Sequence, residues 1–177
     1  MSTLRLRLAG MVMMALLVGV GGAALAQMDE EADAVYVTTE QTTVESDPGT
    51  VSRGASLYSS RGGVNTLELD ASDPRVSGTG TVFWNVDVDP DTGQGIMWGT
   101  YRIDNAAGAW EGPWSGMEYE PGEADYFTVS GWLSGDGSYA GYTYYFQLDA
   151  FQYGGPVRQD HGVIFKGQPP VPDPPAE

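Results

Sequence analysis

Apolar residues recur at every second position through most of residues 51–166, and breaks of Gly, Asp, Asn and Pro interrupt them about every ten to fifteen residues. The clearest run is GYTYYFQLDAFQY: Tyr142, Tyr144, Phe146, Leu148 and Ala150 fall on one face, and Thr143, Tyr145, Gln147 and Asp149 on the other. Successive side chains of a strand point to opposite sides of a sheet, so the first set is expected to face a core. In DYFTVSGWL, Phe127, Val129, Gly131 and Leu133 alternate with Tyr126, Thr128, Ser130 and Trp132 in the same way. In NTLELDA, Leu67 and Leu69 oppose Thr66, Glu68 and Asp70. No stretch carries the three-and-four spacing of an amphipathic helix.

The pattern predicts strands at 51–59, 64–71, 79–89, 95–104, 108–119, 124–134, 139–152 and 160–166. Eight strands joined mostly by short turns describe an all-β antiparallel meander. Its edges must be dealt with, and closure into a single eight-stranded β-barrel is the common solution, with a two-sheet β-sandwich as the alternative. The 25 glycines favour the barrel, because many stand beside aromatics inside strands, where they let a coiled strand bend. A short internal repeat supports related corners: GAWEGPW at 108–114 and GSYAGYT at 137–143 share Gly-x-aromatic-x-Gly. Either an aromatic covers a bare glycine at the start of each hairpin, or the two form paired walls for a ligand.

Outside 51–166 the pattern changes. Residues 27–50 are acidic and Thr-rich, with one alternating piece, AVYVTTEQTTV, suited to a first or edge strand. The last eleven residues, GQPPVPDPPAE, hold five prolines and read as a disordered, extended tail over 167–177. At the start, Arg5 and Arg7 precede an apolar run that ends in Ala24-Leu25-Ala26. That arrangement predicts a signal peptide over 1–26, cleaved before Gln27, and a secreted or periplasmic protein without stable membrane insertion afterwards.

The charge narrows the partners. After cleavage six basic residues face 24 acidic ones, a net charge of about −18. Such a surface repels phosphate backbones and anionic lipid, so nucleic acid is not an expected partner. With no cysteine in the chain, stability must come from a core, and 151 residues can bury roughly 70% of their unfolded surface.

One stretch, VDVDPDTGQGIMWGTY at 86–101, spaces Asp87, Asp89 and Asp91 as the first ligands of a calcium loop are spaced. Counted from Asp87, however, the sixth position is Thr92 rather than Gly and the twelfth is Trp98 rather than a bidentate Glu. A hairpin is the better reading, with Pro90 in the turn and Gly93 at a positive φ. His161 is the sole histidine, and neither a hydrolase triad nor a zinc set can be assembled around it. No metal or organic cofactor is expected. Carboxylates such as Glu111, Glu118 and Glu120 leave glycosidase chemistry unsupported, because spacing across strands does not give their separation.

The aromatics offer more. Trp110 and Trp114 share a face with Gly112, Gly116 and Glu118. Pointing inward, that face makes an aromatic cavity for a small apolar or flat ligand, unless the indoles fill it; pointing outward, it makes a sugar-stacking surface. Trp110, Glu111 and Tyr142 are the candidate ligand-binding residues.

The segments SDPRVSGTGTVFWNVDVDPDTGQGIMWGTYRI, AWEGPWSG and GDGSYAGYTYYF resemble a pattern of exported bacterial proteins. Their expected fold is the allene oxide cyclase-like barrel, shared with dirigent proteins. The resemblance covers residues 72–146 and implies an eight-stranded barrel able to enclose a ligand or a reactive intermediate. It carries over no site, because no catalytic residue of that superfamily matches a position here. Three functions follow as expectations. The first is a non-enzymatic module that binds a small apolar ligand or is structural. The second is a cyclase or isomerase with one polar group such as Glu111 or Tyr142 in its cavity. The third is a carbohydrate-binding surface with Trp110, Trp114 or Trp132 exposed in a row.

Overall fold

The computed structural model describes residues 34–119, 125–152 and 157–170. The expected signal peptide 1–26 and residues 171–177 of the Pro-rich tail lie outside them. Nine strands follow in order: β1 Ala34–Asp47, β2 Thr50–Arg53, β3 Tyr58–Ala71, β4 Gly78–Val88, β5 Gly95–Asp104, β6 Gly108–Tyr119, β7 Asp125–Gly137, β8 Tyr142–Gln152 and β9 Val157–Lys166. The described residues contain no helix.

Each of β3 to β8 pairs with the next in antiparallel register, and β1 pairs with both β9 and β3. The sheet therefore closes into an eight-stranded barrel, and the sandwich alternative is excluded. Closure leaves no edge strand among the eight to be covered. Strand β1 achieves it by dividing its length: residues 34–42 face β9, while 39–47 face β3 past a register shift at Val44.

The eight staves are not quite those the pattern predicts. Residues 51–59 do not form one; instead β2 continues the line of β1 past residues 48–49, in the same register along β3, and pairs only with the first four residues of that strand. The missing stave is β1, so the barrel begins at Ala34 rather than at 51. Two physical features hide this in the sequence. The buried positions of β1 include Thr39 and Gln41 beside Val37, so its core face does not read as apolar. In β3 the pair Gly62-Gly63 looks like a break, but the strand runs through it with a bulge between Ser60 and Gly63. Smaller shifts occur at strand ends. Strand β7 runs on to Gly137, residues 138–141 form a turn before β8, and β9 starts at Val157.

The expected core faces are where alternation puts them. Leu67, Leu69, Phe127, Val129, Leu133, Tyr144, Phe146, Leu148 and Ala150 are all buried. On β6, Trp110 and Trp114 point inward. The barrel interior has two halves. One lies under the turns 72–77, 105–107 and 138–141, the other toward 48–57 and 89–94.

Candidate functional site

In the first half the interior is filled. Trp110, with 0% of its surface exposed, stacks on Tyr139 at 5.0 Å between ring centroids and 7° between planes. The two aromatics of the internal repeat are thus one stacked pair, and the two glycines that precede them, Gly108 and Gly137, are cross-strand partners. Polar clasps lock the pair. Trp110 Nε1 donates to the Arg75 carbonyl at 2.7 Å, and Tyr139 Oη donates to Asn105 Oδ1 at 2.7 Å. Asn105 Nδ2 in turn donates to the carbonyls of Arg75 and Ser77, both at 3.1 Å. Arg75 is held by Asp73 through Nε and Nη2, which keeps the Asp73 carboxyl below its usual range.

The second half holds a cavity of about 530 Å³. Its origin lies in how inward aromatics meet inward glycines. Trp84 lies over Gly63, where an added Cβ would come within 2.2 Å of the indole. Phe146 lies over Gly131 with 2.7 Å for the same test, and Trp114 Nε1 sits 3.1 Å from a Cβ on Gly99. Each ring lies against the wall in the space a side chain would take, and the lumen stays clear. Glycine here is a seat for an aromatic, a use that the sequence pattern suggests only as bending.

Apolar groups make most of this wall: Leu67, Val82, Met97, Val129 and Leu148 alternate with the rings of Trp84, Tyr101, Trp114, Phe127 and Phe146. Toward the strand ends it becomes polar, with Ser46, Asn65, Glu118 and Arg158. Asn65 Oδ1 accepts from Ser46 Oγ at 2.8 Å and from Trp84 Nε1 at 3.3 Å. The Arg158 guanidinium lies 4.8 Å over the Phe127 ring.

Between the two halves lies a buried polar cluster. Asp160, 1% exposed on β9, accepts a hydrogen bond from Gln41 Nε2 on β1. Burial drives its carboxyl up to about 6, against the Gln41 bond that favours the charged form. The hydroxyls of Thr39 and Tyr144 meet beside it at 3.5 Å. Burial, and then the Asp160 charge, raise the hydroxyl pKa of both Tyr101 and Tyr144. Among the described residues three buried side-chain polar atoms have no partner: Tyr101 Oη and Asp160 Oδ1 here, and Trp114 Nε1 on the cavity wall. A buried group left so costs about 1–3 kcal/mol, so the barrel carries this cluster at the expense of stability.

The expected site residues are not brought together. Trp110 is sealed in the stacked pair, and Tyr142 sits at the same packed end with Arg75 6.0 Å over its ring. Glu111 is on the outer face, paired with Arg102 at 2.6 Å, because its position on β6 is out of phase with Trp110 and Trp114. None of the three lines the cavity. What the sequence reading missed is Gln41, in a strand whose inward face is polar, and Asp160, in a segment where only His161 drew notice. His161 points outward and stacks on Tyr36 at 6.0 Å. Glu111 thus stands outside the cavity and Asp160 behind Gln41, while Glu118 lies on the cavity wall. Nor do tryptophans form an exposed row. Trp114 is only 7% exposed, and Trp132, on the outer face, packs on Tyr145 at 4.5 Å.

The aspartate-rich stretch is a hairpin turn. Asp87 pairs with Arg61 at 2.6 Å, Asp89 Oδ1 accepts from the Asp91 amide, and Gly93 takes φ +71°. Among the described residues no group of three or more His, Asp or Glu side chains is placed to hold a metal ion.

No family model, curated protein or solved structure matches the chain. The site is defined by its own geometry.

Proposed function

We propose that the barrel is a container for a small, flat, largely apolar molecule, exported to the periplasm or the medium and acting by binding rather than by catalysis. The observation that carries this is the cavity itself: aromatics seated on glycines leave about 530 Å³ of lumen in one half, while buried side chains such as Trp110, Tyr139, Ile103 and Leu133 occupy the other. A sequence that merely filled a barrel has no need for that asymmetry. The volume falls within the roughly 300–1,000 Å³ of small-molecule pockets, and the mix of many apolar groups with few polar ones is theirs too. An eight-stranded barrel is also the architecture implied by the resemblance to allene oxide cyclase-like proteins, though a fold does not by itself select a function.

Native mass spectrometry of residues 27–177, secreted from the host and compared with a denatured control, is the direct test. The expected result is a retained small molecule, or one-to-one uptake of a neutral fluorescent amine such as N-phenyl-1-naphthylamine. Val82→Trp, which places an indole in the lumen, should abolish uptake without changing the far-ultraviolet circular dichroism. A bare chain that takes up no probe overturns the reading.

A further inference from the structure

The cavity wall contains two amides, each gripped from behind. Gln41 lines the lumen and donates through Nε2 to Asp160 Oδ2. An ionised carboxylate only accepts, so the amide must turn its NH2 toward β9 and keep its carbonyl oxygen on the other side. Among the described residues Oε1 has no hydrogen-bond partner, and unlike Asp160 Oδ1 it is not a sealed buried atom. Asn65, nearer the strand ends, is gripped the opposite way: its Oδ1 takes bonds from Ser46 and Trp84, which leaves the NH2 for the lumen. The deep amide thus offers an acceptor and the outer one a donor, each orientation fixed by the group behind it.

We propose that Gln41 is the polar recognition residue of the cavity, and that Asp160, by fixing which end of the amide is presented, makes the site select an apolar ring compound carrying an N–H or O–H donor. This rests on the container reading above and adds to it the chemistry of the ligand and its control. Once Asp160 is protonated its hydroxyl can donate to Gln41 Oε1 with the amide turned over. The lumen then meets Nε2 instead, and the preference for a donor is lost.

Thr39 and Gln41 face Asp160 from β1, Tyr144 from β8 and Tyr101 from β5; on β9 His161 follows it, and Arg158 precedes it by two residues on the cavity side, paired across from Gln41. Glu40 and Asp70 line a groove on the outer side beside Asp160 and His161. Burial holds the Asp160 proton up to about 6, so the switch falls between acid and mildly alkaline buffer.

Carbazole and N-methylcarbazole separate the two claims, because they differ in one N–H and neither titrates between pH 4 and 8. With the native protein at pH 8, carbazole should bind about tenfold more tightly, the worth of one hydrogen bond. The ratio should fall toward one at pH 4.5. Asp160→Asn should make the ratio independent of pH, His161→Gln should leave its pH dependence intact, and Gln41→Met should bind both probes with no preference. Should both probes bind equally at pH 8, Gln41 is not a reader and the container reading stands alone. A ratio that still varies with pH in Asp160→Asn overturns the role of Asp160. If neither probe binds, the container reading itself fails.

Discussion

Trp110 and Trp114 are the same residue on the same face of the same strand, four positions apart, yet they end in opposite surroundings. Trp110 meets an aromatic, Tyr139, that reaches it from the turn between β7 and β8, and its Nε1 finds a carbonyl. Trp114 lies beside Gly99, borders the cavity, and its Nε1 finds nothing. An inward indole closes a barrel when a second ring crosses to cover it, and leaves the barrel hollow when a glycine on the neighbouring strand lets it lie against the wall. The packed end is built for stability. The cavity end gives stability up.

The sharpest way to break that contrast is to remove the packed indole. Trp110→Ala deletes a fully buried side chain, its stacking on Tyr139 and its bond to the Arg75 carbonyl. A loss of about 3–5 kcal/mol is expected from urea denaturation at neutral pH. A loss under about 1 kcal/mol would mean that this end is as hollow as the other.

Next comes the buried acid. The Asp160 carboxyl, ordinarily at 3.8, is raised to about 6 in the folded chain, so the folded state holds the proton more tightly than the unfolded one. The stabilisation due to the protonated acid is full below about pH 4, falls as the pH rises, and is gone above about 6. The whole span is worth about 3 kcal/mol. Asp160→Asn keeps an acceptor for Gln41 but cannot ionise. Its unfolding free energy should exceed that of the native protein by up to about 3 kcal/mol at pH 8, and by almost nothing at pH 4. A difference that stays flat with pH would remove the buried charge from the account of the cavity end.

These two ends were not equally legible in the sequence. Alternation on β6, β7 and β8 shows which faces turn inward, so the buried positions of Trp110, Trp114, Phe127 and Phe146 follow from a period of two. The turn at 89–94 follows from Pro90 and Gly93, whose φ is positive. What alternation cannot show is depth. It puts Trp110 and Trp114 on one face but says nothing of Tyr139, which comes from a turn, or of Gly99, whose partner is set by register. Glu111 is next to Trp110 in sequence, and adjacency in a strand means opposite faces, so it falls outside when the indole points in. Gln41 and Asp160 were missed for a related reason. Both face inward with the right period, but a core position filled by a polar residue looks like surface until its partner on another strand is known.

The finest test uses the mildest change, applied to both indoles. Trp110→Phe removes one hydrogen bond and leaves the Arg75 carbonyl with Asn105 alone, so a loss of about 1–2 kcal/mol is expected. Trp114→Phe removes an N–H that is already buried without a partner. The phenyl ring forfeits some apolar contact, but the unmet desolvation of the donor, about 1–3 kcal/mol, goes with it. In the empty protein the balance should run from neutral to about 1 kcal/mol more stable, the opposite sign to Trp110→Phe. The unfolding free energies of the two variants, measured side by side on ligand-free protein, decide the matter. Equal losses would mean that Trp114 Nε1 is satisfied in solution, by water or by a molecule held in the lumen. The same pair measured on protein carrying its retained ligand would then separate these: a Trp114→Phe penalty that appears only with the ligand bound assigns the indole N–H to the ligand.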